Sequence, residues 1–551
     1  MNKHDSLCPL TWACKITCTV VVGTLLCLTL VSAFSAQPAE AATCSDSLQA
    51  KIDAAPAGGT VTASDCIYRE QVKITKPLTL VEQTGSEIRG SDVWGDWTRL
   101  SNGNYRSART VPAFYQEDVS CEKGYPTRCA WQEQVFIGGS PLTQVASGAD
   151  PAVGEFNVDG SRKIILGEAP DSRMVEVTVR RHWITGTPSA DDVTIRGFTM
   201  KHAATDWRCG GVQSREPSSG SGATFDSCRD GQNSGDGERW SLLDSKLSYA
   251  HGALVSLRGK GTRIEGNDLH HGGQLGIHNP GDGSVVRANE VSFNNTEHFC
   301  IRASTDYCQV FPTDGDENFN PSPLTESGGM KIAGGRGNIL VTENNFHHNY
   351  GNGIWCDVNC HDMVFSNNRS HHNARRGIFF EISYRADIHS NIVYENGWKT
   401  PEGSDGAGIE IGTSDAAEVY DNVVAWNADG IVARCTSGRD NASCENNFIH
   451  DNTILQGEDS STDGWPALAL SFSGQSSYFA AASNNRGVGN DYYYDHAEED
   501  GHARFSWSTT KYSSLTPFNA TPGEEGGRYL TRTQKNTVTA NNGILANPEP
   551  H

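Results

Sequence analysis

Two acidic residues in a duplicated stretch carry the chemistry this chain offers. Asn344, His347, His348, Asn349, Gly353 and Ile354 recur 24 residues later as Asn368, His371, His372, Asn373, Gly377 and Ile378. Each copy ends on an alternating run, Ile354 to Asp357 in the first and Ile378 to Glu381 in the second. Alternation is the mark of a strand, whose successive side chains point to opposite faces. With Ile354 and Cys356 inward, Trp355 and Asp357 point outward, and so do Phe379 and Glu381. If the copies stack as neighbouring strands about 4.8 Å apart, the two carboxyls stand roughly 5 Å apart. That separation suits a retaining glycosidase, with one carboxylate as nucleophile and the other as acid/base. An inverting enzyme needs about 6.5–9.5 Å to admit a water.

The elements that would hold this pair can be followed along the chain. A strand opening on Gly recurs at Gly276, Gly329, Gly353, Gly377, Gly408 and Gly430. Its inward third positions are Ile332, Cys356, Phe380, Ile411 and Ala433, an apolar column. Its outward positions add His278, Lys331, Glu410 and Arg434 to the acids and aromatics above, and these are the candidate substrate-binding residues. Exposed rings on a sheet form a platform for sugar faces. Glu410, one repeat on and two residues back, would lie roughly 8 Å from Glu381 and could orient the sugar or partner it in an inverting scheme.

An Asn-x4-Asn turn precedes these strands at Asn289/Asn294, Asn344/Asn349, Asn368/Asn373, Asn391/Asn396, Asn422/Asn427 and Asn447/Asn452. A repeat of about this length, with short strands and Asn or Gly at its corners, marks a β-solenoid whose coils must stack to bury an apolar side. Stacked Asn side chains can bond to one another as a ladder. The paired histidines fall inside the turn, away from the Gly-opened strands, and are expected to form a structural column. Three long interruptions, residues 204–238, 295–328 and 397–407, share one place in the coil and would flank the outward face.

The whole chain agrees with this plan. Its 551 residues include 58 Gly, only 36% are hydrophobic, and no long amphipathic helical pattern appears. A net charge of −22 without a basic tract argues against nucleic acid. Residues 1–42 read as a signal peptide, with Lys3 and Lys15 before an apolar run from Ile16 to Val31 and small residues around Ala41. A secreted, extracellular protein is expected, with no membrane attachment after cleavage and a monomeric state. Beyond the leader, twelve of the 16 cysteines form local couples: Cys44/Cys66, Cys121/Cys129, Cys209/Cys228, Cys300/Cys308, Cys356/Cys360 and Cys435/Cys444. Export favours disulfides over a metal site at Cys356, Cys360 and His361. The domain plan is an N-terminal helical cap and first coils over 43–90, a β-rich insertion over 91–190, repeats over 191–455, and C-terminal coils with a cap over 456–551.

From Cys44 to Thr453 the chain resembles the pectate-lyase-like right-handed parallel β-helix family, which implies an all-β fold of that kind. The two acidic strands also resemble those of β-helix glycosidases of the β-xylosidase type. That resemblance implies Asp357 as nucleophile and Glu381 as acid/base, acting on a poly- or oligosaccharide without a cofactor. A second interpretation is a polysaccharide lyase or epimerase, with Ca2+ on the acidic cluster and Lys331 or Arg434 as base. A third is a non-catalytic glycan-binding or structural solenoid.

Overall fold

A computed structural model describes residues 42–547 apart from 84, 115–118, 125–128, 217–227, 229–235, 301–307, 312–325, 400–402, 437–442, 458–466 and 495–501. The signal peptide expected over 1–42 lies outside the described residues but for its last. The chain is an all-β, right-handed parallel β-helix. Each regular coil contributes one strand to each of three long sheets, of 12, 13 and 13 strands. The coil holding the first acid runs Leu340–Thr342, Asn345–His347 and Asn352–Asp357; the next runs His361–Ser366, Arg369–His371 and Ile378–Glu381. We call these the first sheet, the second sheet and the site sheet.

Pairing is parallel and without slippage, Val341 on Phe365, Phe346 on Ser370 and Ile354 on Ile378. One side chain of each strand therefore repeats the position of its neighbour, and the three inward columns meet in one continuous core. Ile332, Cys356, Phe380, Ile411 and Ala433 all lie in it. The corners explain the recurrent Asn and Gly. Between the first and second sheets, each Asn amide donates to the next: Asn267 to Asn289, Asn344 to Asn368 and Asn422 to Asn452, at 2.9, 3.0 and 2.9 Å. A second ladder through Asn294, Asn349, Asn373, Asn396 and Asn427 turns the chain into the site sheet. Glycine is required there because a Cβ on Gly353 would lie 2.3 Å from Ser370 Oγ and 2.9 Å from Asn373 Nδ2.

The regular spacing misleads at two points. Asn452 stands in the first ladder, whereas Asn447 leaves it and bonds to Asn485 at 3.1 Å. The interruption over 204–238 does not share its place in the coil with the other two: it contains a site-sheet strand, Gly210–Gln213, paired with Ala253–Ser256. Its long segment therefore leaves from the opposite edge of the sheet to the other two interruptions.

Helix Leu48–Ala54, capped by Ser47, buries Leu48 and Ile52 against the first coils. At the other end, Phe518 stacks on Phe505 with ring centres 4.8 Å apart, and Leu515 joins the same core. The segment after Arg89 builds two small sheets of four and five strands with their own core around Trp94, Phe156, Ile164 and Val177. The chain rejoins the site sheet at Ile184–Gly186, before the boundary at 190 expected from sequence. This insertion is fastened to the other two. Its strand Val119–Glu122 pairs antiparallel with Cys308–Phe311, and Glu122 meets Lys399 at 2.5 Å. The β-rich insertion is thus tied to the interruptions over 295–328 and 397–407 through these two contacts.

All six cysteine couples are disulfides. The Cys44, Asp46 and Cys66 cluster is accordingly a bridged pair beside an acid, not a free thiolate set. Among the described residues, no helix is long and apolar enough to cross a membrane.

Candidate functional site

The site lies on the outward face of the site sheet. Two columns of side chains run along it, one residue per strand. The first holds His278, Lys331, Trp355, Phe379 and Glu410; the second holds Ala333, Asp357, Glu381, Gly412 and Arg434. Asp357 and Glu381 are direct partners across neighbouring strands, as are Trp355 and Phe379.

The two acids have different surroundings. Asp357 is 7% exposed. Its Oδ2 accepts a hydrogen bond from Lys331 Nζ at 2.7 Å, while its buried Oδ1 has no hydrogen-bond partner among the described residues. Glu381 is half-buried, and its Oε2 accepts from Trp355 Nε1 at 3.2 Å. Asp357 is thus buried against a cation, while Glu381 is less enclosed and sits beside an indole N–H.

Lys331 is enclosed completely. Besides Asp357, its ammonium lies 3.1 Å from Glu326 Oε1 and 3.4 Å from the centre of the Trp355 ring. Glu326 pairs in turn with Arg208. Gln274 ties these last two together, accepting from the Arg208 backbone N–H and donating to the Glu326 carbonyl, each at 2.6 Å.

On the other side, Trp355 and Phe379 stack with centres 5.5 Å apart and planes 23° from parallel. The Arg376 guanidinium lies 4.1 Å from the Phe379 ring centre and bonds to Glu410 of the next strand. The stack therefore has a cation at each end. This corrects the expected sugar platform: the rings are 7% and 3% exposed and their faces are taken by each other and by Lys331 and Arg376. The physical reason is the 4.8 Å strand spacing, which makes aromatics in one column pack on each other instead of on a ligand. His278, Lys331 and Glu410 are likewise buried, not open on the surface. His278 is the direct strand partner of Lys331. Arg434 remains 38% exposed and meets Glu410 Oε1 at 3.0 Å, so with Glu381 it borders the open part of the site.

Glu326, Arg208, Arg376 and Asp405 were not foreseen. Arg376 bonds to Glu410 and Asp405, and Asp405 also takes Arg375 at 2.6 Å. Burial opposes the Arg376 charge, but Glu410, Asp405 and Glu381 outweigh it and raise its pKa. Asp429 is pushed up to about 8 by burial, with the charge of Glu410 adding to the effect. The one clue in the sequence was position: Arg376 directly precedes a corner glycine, and Asp405 lies in the third interruption.

The histidine pairs lie on the second sheet and its corner. His347 stacks on His371 at 5.1 Å and His348 on His372 at 4.8 Å, nearly parallel in both cases. They form two ring columns apart from the acids.

Residues 231–424 match the family model described as the right handed beta helix region. Among solved structures, the chain is similar to XylC in its complex with xylose, with 14% identity, a TM-score of 0.59, and coverage of 84% of this chain and 82% of that one. It is also similar to the A-module of the Azotobacter vinelandii mannuronan C-5 epimerase AlgE4, with 11% identity, a TM-score of 0.45, and coverage of 84% and 94%. A search of curated protein sequences finds no match.

Proposed function

We propose that this right-handed parallel β-helix protein is an exported carbohydrate-active enzyme, a retaining glycoside hydrolase acting on a poly- or oligosaccharide. One observation carries the proposal: Asp357 and Glu381 are direct partners in register, and Asp357 is held by the buried ammonium of Lys331. Adjacent strands hold such a pair at roughly the 5 Å that double displacement requires. The solved XylC complex with xylose supports the fold as one able to hold a sugar.

In the first step, a lone pair of Asp357 attacks the anomeric carbon. The glycosidic bond breaks towards the leaving oxygen, and protonated Glu381 donates its proton there. In the second, Glu381 takes a proton from water as the water oxygen attacks the same carbon, releasing the Asp357 carboxylate. The half-exposed position of Glu381 suits a group that must meet leaving group and water in turn. The stacked Trp355 and Phe379 support the acids from the side, and Arg434 at the open edge is the cation placed to meet sugar hydroxyls.

The lyase or epimerase interpretation needs a base and a Ca2+ site. Lys331 is enclosed between two carboxylates, and Arg434 is paired with Glu410. Calcium takes about 6–8 oxygens, whereas here an ammonium already occupies one side of the acidic pair, so the residues do not fit that ion. Asp357→Asn and Glu381→Gln should each abolish release of reducing ends, by at least ~10²–10⁴-fold, while leaving the fold intact. Full activity in both variants would remove the assignment.

A further inference from the structure

We infer that Lys331 is a positioning residue for the nucleophile: it holds Oδ2 of Asp357 and so fixes the orientation of the carboxylate that attacks the anomeric carbon. The inference rests on the hydrolase proposal above. Lys331 belongs to a chain of alternating charges, Arg208, Glu326, Lys331 and Asp357, that begins at a corner of the helix and ends at the nucleophile. Every member is buried.

Three features separate this role from substrate contact or simple packing. Lys331 has no exposed surface, so it cannot touch a sugar at the mouth of the site. Its ammonium is fixed from three directions, by Asp357 at 2.7 Å, Glu326 at 3.1 Å and the Trp355 ring at 3.4 Å. A flexible side chain fixed in this way delivers a charge-assisted hydrogen bond to one defined carboxylate oxygen. The other oxygen, Oδ1, is buried and has no hydrogen bond among the described residues, so the orientation of this carboxylate rests on the bond from Lys331.

Trp355 couples this cation to the second acid. One indole lies under the Lys331 ammonium and donates its N–H to Glu381. Arg208, Glu326 and Gln274 act one step further back, keeping Lys331 in line. In the reaction, an electron pair of the Asp357 carboxylate forms the new C–O bond as the glycosidic C–O bond breaks. Lys331 keeps its three protons throughout, and the proton taken by the leaving oxygen comes from Glu381. No other reactant is needed before water enters.

The test uses the full chain and a panel of dinitrophenyl and nitrophenyl glycosides, taking the sugar that the unaltered protein cleaves fastest. The double variant Lys331→Met with Glu326→Gln removes the ammonium without leaving the Glu326 charge unpaired. Lys331→Arg retains the charge but changes its geometry. A nucleophile displaced by about 1 Å should cost on the order of 10²-fold in rate. The double variant should therefore lose about that factor in kcat on both leaving groups, with KM changed less than about threefold, and Lys331→Arg should recover part of it. Glu381→Gln, by contrast, should spare the dinitrophenyl glycoside, which needs little protonation. Melting temperature and near-ultraviolet circular dichroism establish that each variant is folded, and if the double variant does not fold, the kcat and KM of Lys331→Arg decide. Activity lost in Asp357→Asn but unchanged in the folded Lys331 variants overturns this inference alone. Cleavage that survives in Asp357→Asn, or no cleavage of any glycoside by the unaltered protein, overturns the hydrolase proposal and this inference with it.

Discussion

Lys331 Nζ sits 2.7 Å from Asp357 Oδ2 across one coil of the helix, and Asp357 is itself the direct strand partner of Glu381. One register thus sets three ionisable side chains on successive strands, cation, acid and acid, with the aromatic pair Trp355 and Phe379 packed beside them. The arrangement depends on coils that do not slip. Changes to the corners that fix the coils should therefore be felt at the site.

The Asn ladder gives the first expectation. Asn368 Nδ2 donates to Asn391 Oδ1 at 3.0 Å, and its own Oδ1 accepts from both the backbone and side chain of Asn344. Asn368→Ala removes the acceptor of the Asn344 backbone and side-chain N–H groups and the donor to Asn391 Oδ1 and the Val341 carbonyl, at about 1–3 kcal/mol for each buried group left unsatisfied. Chemical unfolding should show a loss of about 2 kcal/mol or more, with an unchanged fold by far-ultraviolet circular dichroism.

The histidine columns make stability depend on pH. Burial, then the charges of His347, His372, Arg369 and His348, push His371 down to about 2, and burial with His372 and His347 brings His348 to about 4. Unfolded histidine titrates near about 6.5, so below that pH the unfolded chain binds more protons and stability falls. The melting temperature should drop steadily from pH 7 to pH 4. His371→Phe retains a ring between His347 and Tyr394 and removes one titrating group, so its slope over this window should be shallower. An equal slope would show that these rings do not set the acid limit.

Asp429 acts in the opposite sense. Its folded value of about 8 lies above the unfolded value of about 3.9, so its contribution is present below pH 4 and is lost as pH rises through 8. Asn at this position can still accept from the Leu468 backbone N–H, which meets Asp429 Oδ1 at 2.8 Å. Asp429→Asn should melt at a higher temperature than the unaltered protein at pH 9, with the difference shrinking towards pH 5.

These expectations also mark what could be read from the chain. Period, inward column and register follow from local patterns, and the pairing of Asp357 with Glu381 and the six cysteine couples were legible because each repeats or lies close to its partner. The phase of Asn452 and the strand Gly210–Gln213 were hidden because irregular segments beside them break the count. The burial of Trp355, Phe379, Lys331 and Glu410 was not legible either. It depends on side chains from interruptions and distant coils, Arg208, Glu326, Arg376 and Asp405, whose meeting is a matter of three-dimensional packing. Alternation tells which face a side chain takes but not what covers that face.

The most direct test of the central claim is product analysis in H2(18)O. The unaltered protein, Asp357→Asn and Glu381→Gln are incubated with plant, microbial and algal polysaccharides, and the products are read by mass spectrometry. Retaining hydrolysis by this pair predicts saturated products carrying one 18O at the new reducing end for the unaltered protein, and none from either variant. An unsaturated product, or 18O-labelled product at undiminished rate from both variants, would contradict it.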